Sequence, residues 1–383
     1  MTFISLPTIS WVIKGESNDD AVLCTQDKTY TIRSVVLSNS VLVVTPPSYA
    51  KSGQSSSGNS SDIVIRDEIH EVLELVPCVP RLQKLSSLLE GREYDEGHDE
   101  DEDEDQDMDG GNESPDMERP AKRRRFTYED ARMTLQASDL ELAKGLRDRR
   151  ILILEGKPFI QSFNPTLQYV HPFHLGDLRP IAHSHLTTIL ELLLNYLVSL
   201  SLSHQAAPVK ELASSLEDEH DIKRKVSTQV MSWFGDIDEG MWKMDVNATV
   251  KEVGVGILRT FKDDPISEEE FMAKWKTTVG DTFESVPSLE LLAGNYLSNP
   301  SPNRYPPIPL LTYFPCSALP TEPALRFDRL FLTRSRWRAE DISPFLSDIV
   351  VDNKERDKLL LKFARAVTDP TGVWYTARTK ARG

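Results

Sequence analysis

The amino-acid sequence, 383 residues long, predicts an α+β fold: a small N-terminal β-barrel portion followed by tandem winged-helix domains. Three observations carry this reading. Residues 1–76 are a succession of short β-branched runs. From Thr127 onward the apolar residues fall at helical spacing instead. The order helix, helix, helix, strand, which is that of a helix-turn-helix with a β wing, then comes round more than once.

In residues 1–92, strands are expected at Ile9–Ile13, Ala21–Cys24, Tyr30–Arg33, Val41–Val44 and Ile63–Ile65. Gly15–Asp20, Thr25–Lys28 and the Pro/Ser/Gly tract from Pro46 to Ser61 separate them. A sheet this small has a thin core and open edges. It is either a self-contained barrel or a half-barrel that another chain completes. Pro80 to Glu90 reads as one helix, with Leu82, Leu85, Leu88 and Leu89 on one side.

Residues 93–126 form an acidic insert that cannot bury enough apolar surface to order itself. Twelve Asp/Glu and no Lys/Arg fall between Glu93 and Asp109, so this stretch supplies most of the net charge of −16. It reads as a solvated spacer, with mimicry of nucleic acid as the other use of such a run. It ends in Lys122-Arg123-Arg124-Arg125, a basic cluster of the nuclear-localisation type, so the expected location is nuclear.

Thr127-Tyr128-Glu129-Asp130 and Ser138-Asp139-Leu140-Glu141 both have capping-box spacing and mark two helix starts. A hairpin joining Ile151–Leu154 to Phe159-Ile160 would close residues 127–180 as winged helix 1, with an apolar wing suited to protein contact. Residues 181–247 make winged helix 2, from helices at His185–Ser203, Val209–Leu216 and Asp221–Phe234 and a strand at Trp242–Val246. Lys223-Arg224-Lys225 sits on its third helix. Residues 248–323 read as a connector: a linking helix, a second helix capped at Ser267, and a Pro-rich segment holding one strand-type run, Ile308–Phe314.

Residues 324–383 make winged helix 3. Pro323 opens its first helix, Ile342, Phe345 and Leu346 mark the second, and Leu359, Leu360, Phe363, Ala364 and Val367 give the stripe of the third. Lys354, Lys358, Lys362 and Arg365 cluster opposite that stripe, at i, i+4, i+8 and i+11. Asp369-Pro370-Thr371-Gly372 turns into the β-type run Val373–Thr376, and Arg378, Lys380 and Arg382 follow. A solvated cationic face explains one such helix by itself. Helix, wing and tail of one sign, thirteen Lys/Arg against eight Asp/Glu, point to an acidic partner, and the seven cations named are the candidate DNA-binding residues.

Cys24, Cys78 and Cys316 lie far apart, with neither a disulfide framework nor zinc spacing. His183 and His185 have no carboxylate or thiol close enough in sequence to complete a metal set. There is no P-loop, no G-x-G-x-x-G after a strand and no G-x-S-x-G, and the paired carboxylates fall in the acidic insert. No catalytic residue, cofactor or metal is expected, and the chain is not read as an enzyme. No apolar run reaches the ~18 residues of a membrane span, and no signal-peptide pattern opens the chain, so an intracellular soluble protein is expected.

Asp20–Tyr30 resembles the N-terminal signature of the Dcc-one family, the sister chromatid cohesion subunits. Leu135-Gln136-Ala137-Ser138 with Glu141-Leu142 is similar to its central block. Phe327–Phe331, Trp337, Glu340-Asp341-Ile342 and Pro344-Phe345 are similar to its C-terminal block. The acidic insert, the Ser/Gly loop near Lys51 and the proline segment after Asn299 depart from the pattern.

The resemblance implies a non-catalytic subunit of the Ctf-eighteen alternative replication factor C, the loader of the sliding clamp PCNA. The N-terminal strands would form a shared barrel with the Ctf-eight subunit and the Ctf-eighteen C-terminus. That barrel end would dock the catalytic subunit of DNA polymerase epsilon, and the C-terminal winged helices would bind DNA without sequence preference. Contact with PCNA would be indirect. A sequence-specific winged-helix transcription factor is the alternative from another class, weakened by the few Asn, Gln or Ser on the third helix. A pure protein–protein module is the third reading. The sequence does not assign DNA or protein to particular winged helices, nor single or double strands to the DNA.

Overall fold

The computed structural model describes residues 11–17, 19–45, 64–95, 125–154, 176–301, 305–370 and 372–378. The chain is mixed helix and sheet and divides into two compact units. One comprises residues 1–80 with 136–141, the other residues 81–135 with 142–383.

The first unit is an antiparallel meander of β1 (Val12–Lys14), β2 (Val22–Cys24), β3 (Thr29–Thr45) and β4 (Val64–Pro77), paired in that order. Among the described residues the sheet is open. Of the two expectations, a self-contained barrel does not form among these residues, since the described strands include no pairing that joins β4 back to β1. The separate strands expected at Tyr30–Arg33 and Val41–Val44 are one long strand, and the run at Ile65 continues to Pro77. Alternating charge in Arg66–Glu74 hides that continuation from a hydrophobic reading. The register slips between Val36 and Val41, where Leu37–Ser40 oppose only His70.

The core of this unit is small. Val22, Cys24 and Thr29 are buried with Gln136, Ala137 and Ser138. The Gln136 amide donates to the carbonyls of Asp20 (2.9 Å) and Lys14 (3.3 Å), and the Lys14 ammonium donates to that of Ala137 (2.7 Å). The N-terminal and central blocks therefore meet as one folded piece.

The second unit begins with α1 (Lys84–Leu88), α2 (Tyr128–Thr134) and α3 (Asp139–Asp148), whose first turn belongs to the first unit. Both expected capping boxes form. Thr127 accepts from the Asp130 amide while Asp130 accepts from Thr127, and Ser138 and Glu141 do the same. The strand β5 (Ile151–Leu154) pairs with β6 (Asp177–Pro180), while Phe159-Ile160, the expected hairpin partner, lies outside the described residues. Residues 155–175 lie outside the described residues.

Three stretches then repeat one plan. The first has α4 (His183–Ser199), β7 (Ala207–Pro208), α5 (Val209–His220), α6 (Arg224–Trp233), β8 (Gly235–Asp238) and β9 (Met241–Met244). The second, in what reads from sequence as a connector, has α7 (Val246–Arg259), β10 (Ile266–Ser267), α8 (Glu268–Val279), two 3-10 turns, β11 (Tyr296–Pro300) and β12 (Pro309–Tyr313). The third has α9 (Pro323–Thr333), β13 (Arg336–Arg338), α10 (Ala339–Ile342) with the 3-10 turn Ser343–Leu346, α11 (Asn353–Phe363), β14 (Ala364–Asp369) and β15 (Gly372–Ala377). In each, the last strand lies between the other two or the hairpin's second strand lies centrally: orders β7-β9-β8, β10-β12-β11 and β13-β15-β14.

Each repeat buries one tryptophan completely: Trp242, Trp275 and Trp337. The first two repeats share a core, which also takes in Leu152, Leu154 and Ile181. The third has its own core around Phe327, Leu330, Trp337 and Phe345, into which Leu297 reaches. Among the described residues no helix is long and apolar enough to cross a membrane.

Candidate nucleic-acid and assembly surfaces

Helix α11 starts at Asp352, whose carboxylate accepts from the Glu355 amide (2.8 Å). Leu360 is buried, Leu359 and Phe363 pack half-buried, and Phe363 stacks on Phe327 at 5.2 Å. That packing turns Lys354, Lys358 and Lys362 to solvent, and all three are exposed. The helix ends at Phe363. Ala364 and Val367, expected on its stripe, belong to β14 instead, because the hairpin around Asp369 and Gly372 takes over the backbone. Arg365 is therefore an exposed strand residue opposite Thr376, not part of the helical face.

Arg378 is exposed as well, but its guanidinium donates to the Leu361 carbonyl (2.7 Å) and its amide to that of Phe363 (3.2 Å). It caps the C-terminus of α11, where a cation is favoured by the helix dipole. Among the described residues Lys354, Lys358, Lys362 and Arg365 make no ion pair, although Lys362 lies 5.0 Å from the Phe363 ring. Lys380 and Arg382 lie outside the described residues, as do Lys122, Arg123 and Arg124. Arg125 is described and exposed.

Charge separates the three repeats. Residues 323–378 hold eleven Lys/Arg against eight Asp/Glu, whereas residues 183–244 hold five against nine and residues 246–313 six against nine. Lys223-Arg224-Lys225 does not reverse this, since Arg224 pairs with Glu217. Of the three repeats only the last has an excess of Lys/Arg over Asp/Glu.

Beyond Thr31 the first unit continues as a two-stranded ribbon, because β2 pairs with β3 only over Thr29–Thr31. Its apolar residues are not covered: Val36 is 79% exposed and Leu73 68%, with Val41, Leu42, Val44, Ile65 and Leu75 exposed too. A row of aliphatic side chains on an unpaired ribbon is the signature of a surface that associates.

His183 and His185 fall in the first turn of α4, and the buried His185 ring packs 5.7 Å from Tyr94. Burial, and then the charge of Arg259, hold His183 below the usual histidine range. Among the described residues no group of three His, Cys, Asp or Glu has the arrangement of a metal site.

A family model described as "Sister chromatid cohesion protein Dcc1" matches residues 8–346. The match stops short of α11. The chain is similar to the DCC1 relative of Dictyostelium discoideum, 26% identical with 94% of this chain and 87% of that protein covered. It is similar to the sister chromatid cohesion protein DCC1 of Mus musculus, 25% identical over 93% of this chain and 79% of the other. Against that of Homo sapiens the identity is 24%, over 93% and 81%.

Proposed function

The chain belongs to the Dcc1 family of sister chromatid cohesion proteins, and from that premise we propose that it is a non-catalytic subunit of the Ctf-eighteen alternative replication factor C. In this reading it works in the nucleus at the replication fork. It assembles with Ctf-eight and the Ctf-eighteen C-terminus, binds DNA through a winged helix, and links PCNA loading to DNA polymerase epsilon. ATP hydrolysis belongs to other subunits.

The observation that carries the assembly half is the β3–β4 ribbon. An aliphatic surface of this extent is stable when another chain pairs with it, and partner strands completing a shared barrel would do so. The test is co-expression of the full chain with and without Ctf-eight and the Ctf-eighteen C-terminal segment, followed by sizing chromatography. A stoichiometric complex that Leu73→Lys or Val36→Lys disrupts is the expected result. A chain that stays monomeric beside both partners overturns the reading.

For the DNA half, the order helix, strand, helix, helix, strand, strand in residues 323–377 supports a winged helix with α11 as its third helix. Its positive balance favours this repeat over the two acidic ones as the DNA contact, and we assign those two to protein contacts. Phosphate contacts are independent of sequence and sensitive to salt. The variant Lys354→Glu/Lys358→Glu/Lys362→Glu is expected to weaken duplex binding and flatten the logarithmic salt dependence by about two to three units. Unchanged affinity and salt dependence would refute it.

A further inference from the structure

The outer face of the last sheet carries a second concentration of cations that α11 does not share. Residues opposite one another in register lie on the same face of a sheet. Trp337, Tyr375 and Ala364 point to the core side, where Trp337 and Ala364 are buried. The opposite face therefore presents Arg336 and Arg338 from β13, Trp374 and Thr376 from β15, and Arg365 from β14. The guanidinium of Arg336 lies 4.3 Å from the centroid of the Trp374 ring and that of Arg338 5.1 Å. Asp369 steadies the group, pairing with Arg336 and accepting from the Trp374 indole at 3.1 Å.

The counterpart face of β7-β9-β8 has the opposite character. There the residues turned away from buried Trp242 and Met244 are Asp236, Asp238, Met241 and Lys243. An indole layered with two guanidiniums, plus a third arginine one strand away, is thus a property of this repeat and not of the shared plan.

Stacked guanidiniums add to a flat π surface and direct their N–H donors sideways. Arg336 commits one to Asp369, and Arg338 shares one with the exposed Glu340 carboxylate at 3.2 Å, which a phosphate would displace. A duplex hides the faces of its bases, whereas a single strand presents them to any aromatic platform lined with cations. We propose that this sheet face binds single-stranded nucleic acid, stacking an unpaired base on the Trp374–arginine layer and holding the adjoining phosphates with Arg338 and Arg365. The proposal rests on the reading of the last repeat as the DNA-binding one, and it adds a strand preference on a surface separate from the α11 lysines.

The test uses the full-length chain with labelled oligothymidylate and a blunt duplex of equal length at one salt concentration, read by fluorescence anisotropy. Trp374→Leu is expected to weaken single-strand binding at least about fivefold and leave duplex binding within about twofold. Trp374→Phe keeps a stacking face and should retain most of the affinity. Arg338→Gln, an exposed change, should weaken the single strand in the same direction as Trp374→Leu. Wild-type single-strand affinity in both Trp374→Leu and Arg338→Gln overturns the proposal, as does equal loss of both substrates in Trp374→Leu. If wild type binds the duplex through the α11 lysines and these variants change nothing, the sheet-face site alone falls. If wild type binds neither substrate, the DNA-binding reading falls with it.

Discussion

The Thr29 hydroxyl donates to the Glu141 carboxylate at 2.5 Å, joining residues 112 positions apart. The same hydroxyl accepts from the Ser138 amide at 3.0 Å, and Glu141 also accepts from the Ser138 hydroxyl at 2.9 Å. Thr29 is almost fully buried, so the cap of α3 is completed inside the core by a side chain from β3. Thr29→Val keeps the shape but leaves the Ser138 amide and Glu141 short of a partner. We expect it to cost about 1–3 kcal/mol, read from the midpoint of urea unfolding. An unchanged midpoint would show that water replaces the hydroxyl freely.

Gly254 sits in mid-helix α7, where replacement by alanine would ordinarily gain up to about 1 kcal/mol. Here an added Cβ would meet the Trp275 ring at 2.5 Å, and that ring is pinned by its own bond to the Val250 carbonyl at 2.9 Å. Overpacking of a fixed side chain costs about 1–3 kcal/mol, so the sign reverses. Gly254→Ala should lower the thermal midpoint, and a raised midpoint would mean that the Trp275 pocket yields.

Arg326 is the one charged side chain of α9 that is fully buried. It donates to the carbonyls of Pro320 (2.6 Å), Leu319 (3.2 Å) and Phe345 (2.8 Å) and to the Asp348 carboxylate (2.9 Å through one nitrogen). Asp348 is 41% exposed, so the partners are not equivalent. Losing Asp348 strands a charge in the core, whereas losing Arg326 leaves a carboxylate that water can reach. Asp348→Ala is expected to destabilise by about 3–5 kcal/mol and more than Arg326→Met does. Equal or inverted costs in chemical denaturation would contradict this account.

Cys316 belongs to the same cluster. Burial first, and then the hydrogen bond and charge of Asp348, push its thiol up to about 12. A raised thiol pKa keeps the unreactive protonated form through the alkaline range, because the thiolate is the nucleophile. Iodoacetamide should leave Cys316 largely unmodified in the native protein from neutral pH to about pH 10 and label it readily once the chain is unfolded. Mass spectrometry of its peptide reads this out, and native labelling with a midpoint near pH 8.5 would disprove it.

Both capping boxes were legible because a cap is settled within four residues. The three α11 lysines were legible because helical period alone puts them on one side. Apolar spacing that runs on to Val367 predicts Arg365 on that helix, whereas it lies on β14. Nothing within that spacing records that a hairpin at Asp369–Gly372 will claim the backbone from Ala364. The continuation of β4 from Arg66 to Pro77 is hidden for a related reason: its exposed, charged sequence looks like a loop until its pairing with β3 is known. The Arg336–Trp374 face was invisible too, since it is assembled across strands. Arg-Trp-Arg at 336–338 was the available clue, an alternation that puts both cations on one side of a strand.

If the β3–β4 ribbon is completed by a partner, as proposed, the lifetime of the chain depends on its stoichiometry with that partner. Among the described residues, strand β3 past Thr31 has a neighbour on one side only, and β4 likewise, so the ribbon there carries two open edges as well as bare aliphatic faces. Arg33, Asp67, Glu68, Glu71 and Glu74 punctuate it with charge, the usual guard against like ribbons zipping together. On the proposed assembly, a partner that covers the ribbon would contribute to folding by mass action, and the melting temperature of the first unit would become a function of that partner's concentration. On that proposal, a copy made in excess would be the one that a cell's proteases and chaperones meet first.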